Sequence, residues 1–264
     1  MLDVLLVAAA VGVVSTYARG WARTPPSALA ARPVRVLAFG TGFAVTVVAL
    51  APPLEAVAET SLTAHMAQHV LLLAVAPPLL VAGRPGSVLA RGLPLVAGPA
   101  RRAWRGLRAA TRRAGVAVPA AAVALQVTLM AAWHVPAVFD AAVRRPALHG
   151  LEHTTFLAAS ILLWWAVAGA AARGRPAVAL LCVFTAGLAC TALGALLVLA
   201  SSPWYPAYAH RDMSAALADQ QLAGIVMWGF ANVALAVAAA VLVGTWLSGL
   251  EHVVPSRLRP RSVP

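Results

Sequence analysis

Apolar residues run through this chain in seven long stretches, at roughly residues 2–18, 34–51, 62–82, 116–134, 148–170, 177–200 and 222–247. Runs of about 17–25 apolar residues are long enough to cross a bilayer as helices. The pattern predicts an all-α integral membrane protein, a bundle of seven transmembrane helices forming one domain over residues 1–264. The connections are mostly short, which leaves no room for a second, soluble domain. Hydrophobic residues make up 61% of the chain and charged residues 11%, and the mean hydropathy is +0.83. A water-soluble fold of this size does not use so little charge.

The net charge of +12 raises nucleic acid as a partner, but the placement of the charge argues against it. Every basic side chain is Arg, and seventeen of the twenty fall in alternate connections or in the tail. These are Arg19, Arg23, Arg32 and Arg35, then eight between Arg84 and Arg113, then Arg173, Arg175, Arg257, Arg259 and Arg261. The opposite connections hold only Arg144, Arg145 and Arg211. Basic residues stay on the cytoplasmic side, so the amino terminus is expected outside and the carboxyl terminus in the cytoplasm. The expected location is a multi-pass one, with the basic connections on the cytoplasmic side. Arg101, Arg105, Arg108 and Arg112 share one helical stripe, and Ala100, Trp104, Leu107 and Thr111 share another. Residues 84–113 therefore read as a basic amphipathic segment on anionic membrane lipid.

The first apolar stretch has Asp3 ahead of it and its Arg residues behind it, which is not the order of a cleaved signal peptide. Cys182 and Cys190 lie eight apart on one expected helix, about 12 Å along its axis, too far for a mutual disulfide. They read as small packing residues, with copper ligation the lesser alternative. Gly40 and Gly42 suit close approach of helices. Glu55 and Glu59 read as solvated loop charges, and His252 as a solvated tail residue.

Against this apolar background the histidines stand out. His65 and His69 are four apart on one helix face, as are His149 and His153 with Glu152 between them. His134 ends the fourth stretch, and Asp219 precedes the seventh. In the expected topology all six of these residues, the five histidines and Asp219, reach the outer ends of their helices. Ionisable groups at membrane depth are expensive and rarely idle. Imidazole suits copper, zinc and iron, and two i, i+4 pairs facing each other supply four nitrogens. Met66 and Met227 add thioethers, which favour copper over zinc. Glu152, Gln68, Asp140 and Gln220 are positioned to orient ligands by hydrogen bonds, and Asp219 is open to either use. The bland alternative is that these groups cap helices or bond between them with no metal present.

The same residues carry a resemblance. Thr63-x-His65-Met66-x-Gln68-His69 with Gly83-x-Pro85 is the first part, and Trp133-His134-x-Pro136 with Phe139-Asp140 the second. His149-x-x-Glu152-His153-x-x-Phe156 with Trp165 follows, then Asp219-Gln220-x-x-x-Gly224-x-x-Met227-Trp228. In this order, over about residues 60–230, the chain resembles the CtaG family of caa(3)-type cytochrome c oxidase assembly factors. The aromatic stretch around Tyr205 and Tyr208 is similar as well. The resemblance implies a non-enzymatic membrane protein that serves cytochrome c oxidase subunits. It would support copper delivery on the outer side, with a soluble copper chaperone as a possible donor. A second resemblance, through Ser61-x-x-x-His65, is to seven-span zinc hydrolases of the ceramidase and progestin-receptor type, where zinc activates a water. A haem carrier is a third reading, but two imidazoles on one helix face suit a small ion better than a macrocycle.

Overall fold

The computed structural model describes residues 2–25, 32–93, 113–209 and 212–251, with isolated positions between 98 and 111. Among the described residues the secondary structure is helical, with no strand. Helices α1 (Leu2–Ala22) and α2 (Arg32–Leu50) cover the first two apolar stretches. A short helix α3 (Pro52–Ala58) occupies what reads in the sequence as an outer turn, opened by Pro at its first position, where no N–H is needed.

The third stretch is α4 (Leu62–Val70), a π-helical turn (Leu71–Val75) and α5 (Ala76–Ala82). Pro77 and Pro78 lack the N–H groups that α-helical bonding would need there, and the π turn accommodates them. Next come α6 (Pro85–Gly92), α7 (Ala117–Trp133), α8 (Pro136–Val143), α9 (Pro146–Ala172), α10 (Pro176–Leu199) and α11 (Met213–Glu251). A 3-10 turn, Pro206–Tyr208, stands between the last two.

All seven apolar stretches are thus helical. Among the described residues five helices are long and apolar enough to cross a membrane, or six if the bent pair α7–α8 counts as one span. That bend is 76° and falls at His134-Val135, ahead of Pro136. Residues 136–143 therefore form a helix folded across the bundle end, where the sequence suggests an open loop. The stripe of Arg101, Arg105, Arg108 and Arg112 lies largely outside the described residues, as do Arg257, Arg259, Arg261 and His252.

Close packing sets the helix positions. At Gly42 an added Cβ would come within 2.8 Å of the Leu80 nitrogen, so α2 and α5 touch backbone to backbone there, whereas Gly40 faces open space. Gly194 and Gly224 give α10 and α11 a similar approach, each lying against the other's carbonyl oxygen. One apolar cluster joins Leu62, Met66, Met130, Phe139, Phe156, Cys190, Leu197, Tyr205 and Met227 at the end of the bundle where α4, α9 and α11 begin. A second, around Leu163, Trp164, Cys182 and Val183, fills the other half.

Candidate metal centre

Three helices deliver the imidazoles. His65 and His69 come from α4, His149 and His153 from α9, and His134 from the corner between α7 and α8. The ring centroids of His65 lie 4.5 Å from His69, 4.9 Å from His149 and 5.9 Å from His153. Those of His149 and His153 are 4.2 Å apart, and those of His69 and His153 5.5 Å. The two pairs expected from the sequence are therefore one cluster. Phe139 of α8, fully buried, packs against His65 and His69 and closes the cluster from the side.

The hydrogen bonds assign a tautomer to four of the five rings, those of His65, His69, His134 and His149. Tyr208 donates its hydroxyl to the Ala58 carbonyl at 2.7 Å, so at 2.9 Å from His65 Nδ1 it can only accept. Burial, followed by the nearby Glu152 carboxyl, holds the Tyr208 phenol above its ordinary range, and the hydroxyl keeps its proton. His134 donates from Nδ1 to the Met130 carbonyl at 2.7 Å, which leaves its Nε2 an acceptor 3.4 Å from His69 Nδ1. His149 Nδ1 donates to Glu55 Oε1 at 3.0 Å. His65, His69, His134 and His149 are thereby fixed with N–H on Nδ1 and a lone pair on Nε2.

Those of His65, His69 and His149 have nothing to accept from. The Nε2 atoms of His65, His69, His149 and His153 are buried without a hydrogen-bond partner, and so are both oxygens of Glu152. Glu152 Oε2 lies 3.9 Å from His65 Nε2, and Oε1 lies 3.5 Å from His69 Nε2, with all three side chains essentially out of solvent. Acceptors here face acceptors. A single proton on Glu152 would serve one contact and leave the others unmet, at about 1–3 kcal/mol for each unsatisfied group. A cation among them would satisfy several at once. Two donor triads, His65–His149–His153 and His65–His69–Glu152, each have their ligand atoms within 4.8 Å of one another. Imidazole nitrogens with a carboxylate are a donor set that copper and zinc both accept. An N–H held by an outer acceptor is the usual support of a metal-bound histidine.

The remaining expected site residues have other surroundings. Asp219 sits on the N-terminus of α4, where its carboxylate accepts from the Leu62 N–H at 2.7 Å, the Thr63 N–H at 3.2 Å and the Ser61 hydroxyl at 3.2 Å. Ser61 is the N-cap of the same helix, accepting from the Ala64 N–H, so its hydroxyl serves the helix end. Met66 and Met227 lie in the apolar cluster with Met130 and Cys190. Asp140 accepts from the Ala207 N–H at 3.1 Å and Gln220 from the Trp204 N–H at 2.6 Å, and together they fasten the stretch that carries Tyr208. Gln68 is buried and donates to the Ala49 carbonyl and to Glu55 Oε2, both below 3 Å.

A family model described as cytochrome c oxidase caa3 assembly factor (Caa3_CtaG) matches residues 15–248. The chain belongs to this family. Every residue of the centre falls within the matched span. No curated protein and no solved structure matches the chain.

Two contributors to the centre of this family member were not legible as such. Glu55, apparently a loop charge, is held below its ordinary range chiefly by the hydrogen bond from His149, with Gln68 adding to it. The helix-start signal Ala51-Pro-Pro was present in the sequence, and a helix there turns Glu55 inward. Tyr208 was visible only as one of several interfacial aromatics.

Proposed function

We propose that the chain is a membrane-embedded assembly factor for a haem-copper cytochrome c oxidase. In this reading it holds copper near the outer membrane face through His65, His69, His149, His153 and Glu152, and yields it to an oxidase subunit by ligand exchange. The observation that carries the reading is the set of buried, unpartnered Nε2 atoms, of which those of His65 and His69 face Glu152. Family membership supplies the oxidase as partner. The chain supplies ligands and takes up no substrate for turnover, so it acts as a carrier and not as an enzyme. His134 and Tyr208 orient His69 and His65.

The reading includes seven spans, an outer amino terminus and a cytoplasmic carboxyl terminus, supported by the Arg distribution. It places the protein in a bacterial cytoplasmic membrane, with lipid against residues 84–113 and a soluble chaperone as the outer copper donor. Metal analysis of the full chain purified in mild detergent tests it. One copper per chain, lost in His65→Ala, is the expected result. A clean deletion should lower active oxidase at low copper without lowering transcripts of its subunits. Stoichiometric zinc with no copper would hand the centre to the hydrolase reading, and an unaffected oxidase would overturn the assembly role.

A further inference from the structure

We propose that the centre is a two-position site, in which one copper ion moves between His65–His149–His153, where it exchanges, and His65–His69–Glu152, where it is held. The proposal rests on the copper reading above and specifies how that copper enters and leaves.

The donors do not form a single shell. Among the described residues they fall into two triads, each compact to within 4.8 Å, with His65 common to both. The His65 ring stands almost midway, its centroid 4.5 Å from His69 and 4.9 Å from His149. Its Nδ1 proton is committed to Tyr208, so only the Nε2 lone pair is free to bind. One lone pair binds one ion, and the two positions cannot fill together. An ion passing between them keeps His65 as a ligand throughout.

The two triads differ in depth and in charge. His65, His69 and Glu152 are at most 1% exposed, while His149 is 14% exposed and its partner Glu55 33%. Along α4 the four-residue step carries His69, which belongs only to the inner triad, about 6 Å further in than His65, and on α9 the centre residue nearest the helix start is His149, which belongs only to the outer one. The outer triad is three neutral imidazoles, whereas the inner one includes a carboxylate. In a buried site of low dielectric that charge draws a cation far more strongly than imidazole alone. The ion therefore rests inside and leaves through the outer triad, whose weaker hold suits release. A carrier that bound equally well at every point would have no such direction.

Copper(II) added to the full-length protein in mild detergent provides the test. One equivalent should give a paramagnetic resonance spectrum with two coupled imidazole nitrogens, the count of the inner triad. Glu152→Gln should shift it to three nitrogens and speed release to a chelator by about tenfold or more, the scale of losing one tuned ligand. His153→Gln should keep the two-nitrogen spectrum but slow both uptake and release. Four coupled nitrogens in the unaltered protein would make the centre one shared shell and overturn the proposal, with no variant needed. So would equal acceleration of release in both variants. Failure of the unaltered protein to bind any copper is a different result, and it would remove the reading beneath.

Discussion

The Tyr208 hydroxyl lies 2.9 Å from His65 Nδ1 and spends its own proton on the Ala58 carbonyl. Tyr208 thus selects the His65 nitrogen that faces the centre without entering the centre itself. Removing the oxygen in Tyr208→Phe should leave the aromatic packing with Phe139 in place and free the His65 ring to turn. Copper affinity, measured by competition with a chelator, should fall about 10–100-fold while stoichiometry at saturation stays at one. Unchanged affinity would mean that His65 is oriented by packing alone.

Asp219 makes a contrasting case. Its carboxylate gathers the first N–H groups of α4, a favourable place for a negative charge at a helix start. Asp219→Ala should lower thermal stability in detergent by about 2 kcal/mol, the scale of lost bonds from backbone N–H to a charged group. Copper at saturation should remain one per chain. Loss of the metal with stability intact would instead make Asp219 a ligand.

His65 and Asp219 are both singled out in the sequence for the same reason, a polar group at the expected outer end of an apolar stretch. What separates the candidate ligand from the residue at the helix end is contact across the bundle, which one-dimensional spacing does not carry. The i, i+4 pairs His65/His69 and His149/His153 were legible because helix period alone puts each on one face. Their meeting followed from topology. Glu152 was visible only as a possible outer support, because its facing of the Nε2 atoms depends on how α4 and α9 are rotated. Helix α8 was hidden for another reason: the eight-residue segment 136–143, apolar apart from Asp140, is too short and too uniform for a helical period to register. The bend at His134-Val135 then brings Phe139 into the cluster, a consequence of Pro136 that spacing cannot reveal.

Orientation is testable apart from the metal. In a background without Cys182 and Cys190, single cysteines at 57 and 103 should differ toward an impermeant thiol reagent applied to intact cells. Position 57 should label and position 103 should not, because the proposed topology keeps the Arg-rich connection between the third and fourth stretches inside. The reverse pattern would turn the centre toward the cytoplasm.

The last prediction concerns Glu55, half-buried at the mouth of the centre between His149 and Gln68. It does two jobs that substitution can separate. Its oxygen accepts the His149 Nδ1 proton, and its charge sets a negative potential where, in the proposed function, a cation enters. Glu55→Gln keeps an oxygen acceptor and removes the charge, whereas Glu55→Ala removes both. Steering by a charge near the surface acts on the association rate and is screened by salt. Copper uptake by the unaltered protein should therefore slow as ionic strength rises. Glu55→Gln should take up copper more slowly at low salt, lose most of that salt dependence and keep its equilibrium affinity within about threefold, since a salt-screened steering charge acts mainly on rate. Glu55→Ala should lose affinity as well, by about tenfold or more, because the His149 ring is then unheld. Stopped-flow uptake at two ionic strengths, set beside chelator competition, reads both effects. If Glu55→Gln and Glu55→Ala lower affinity equally with no change in salt response, the carboxylate is acting only as part of the scaffold that positions His149.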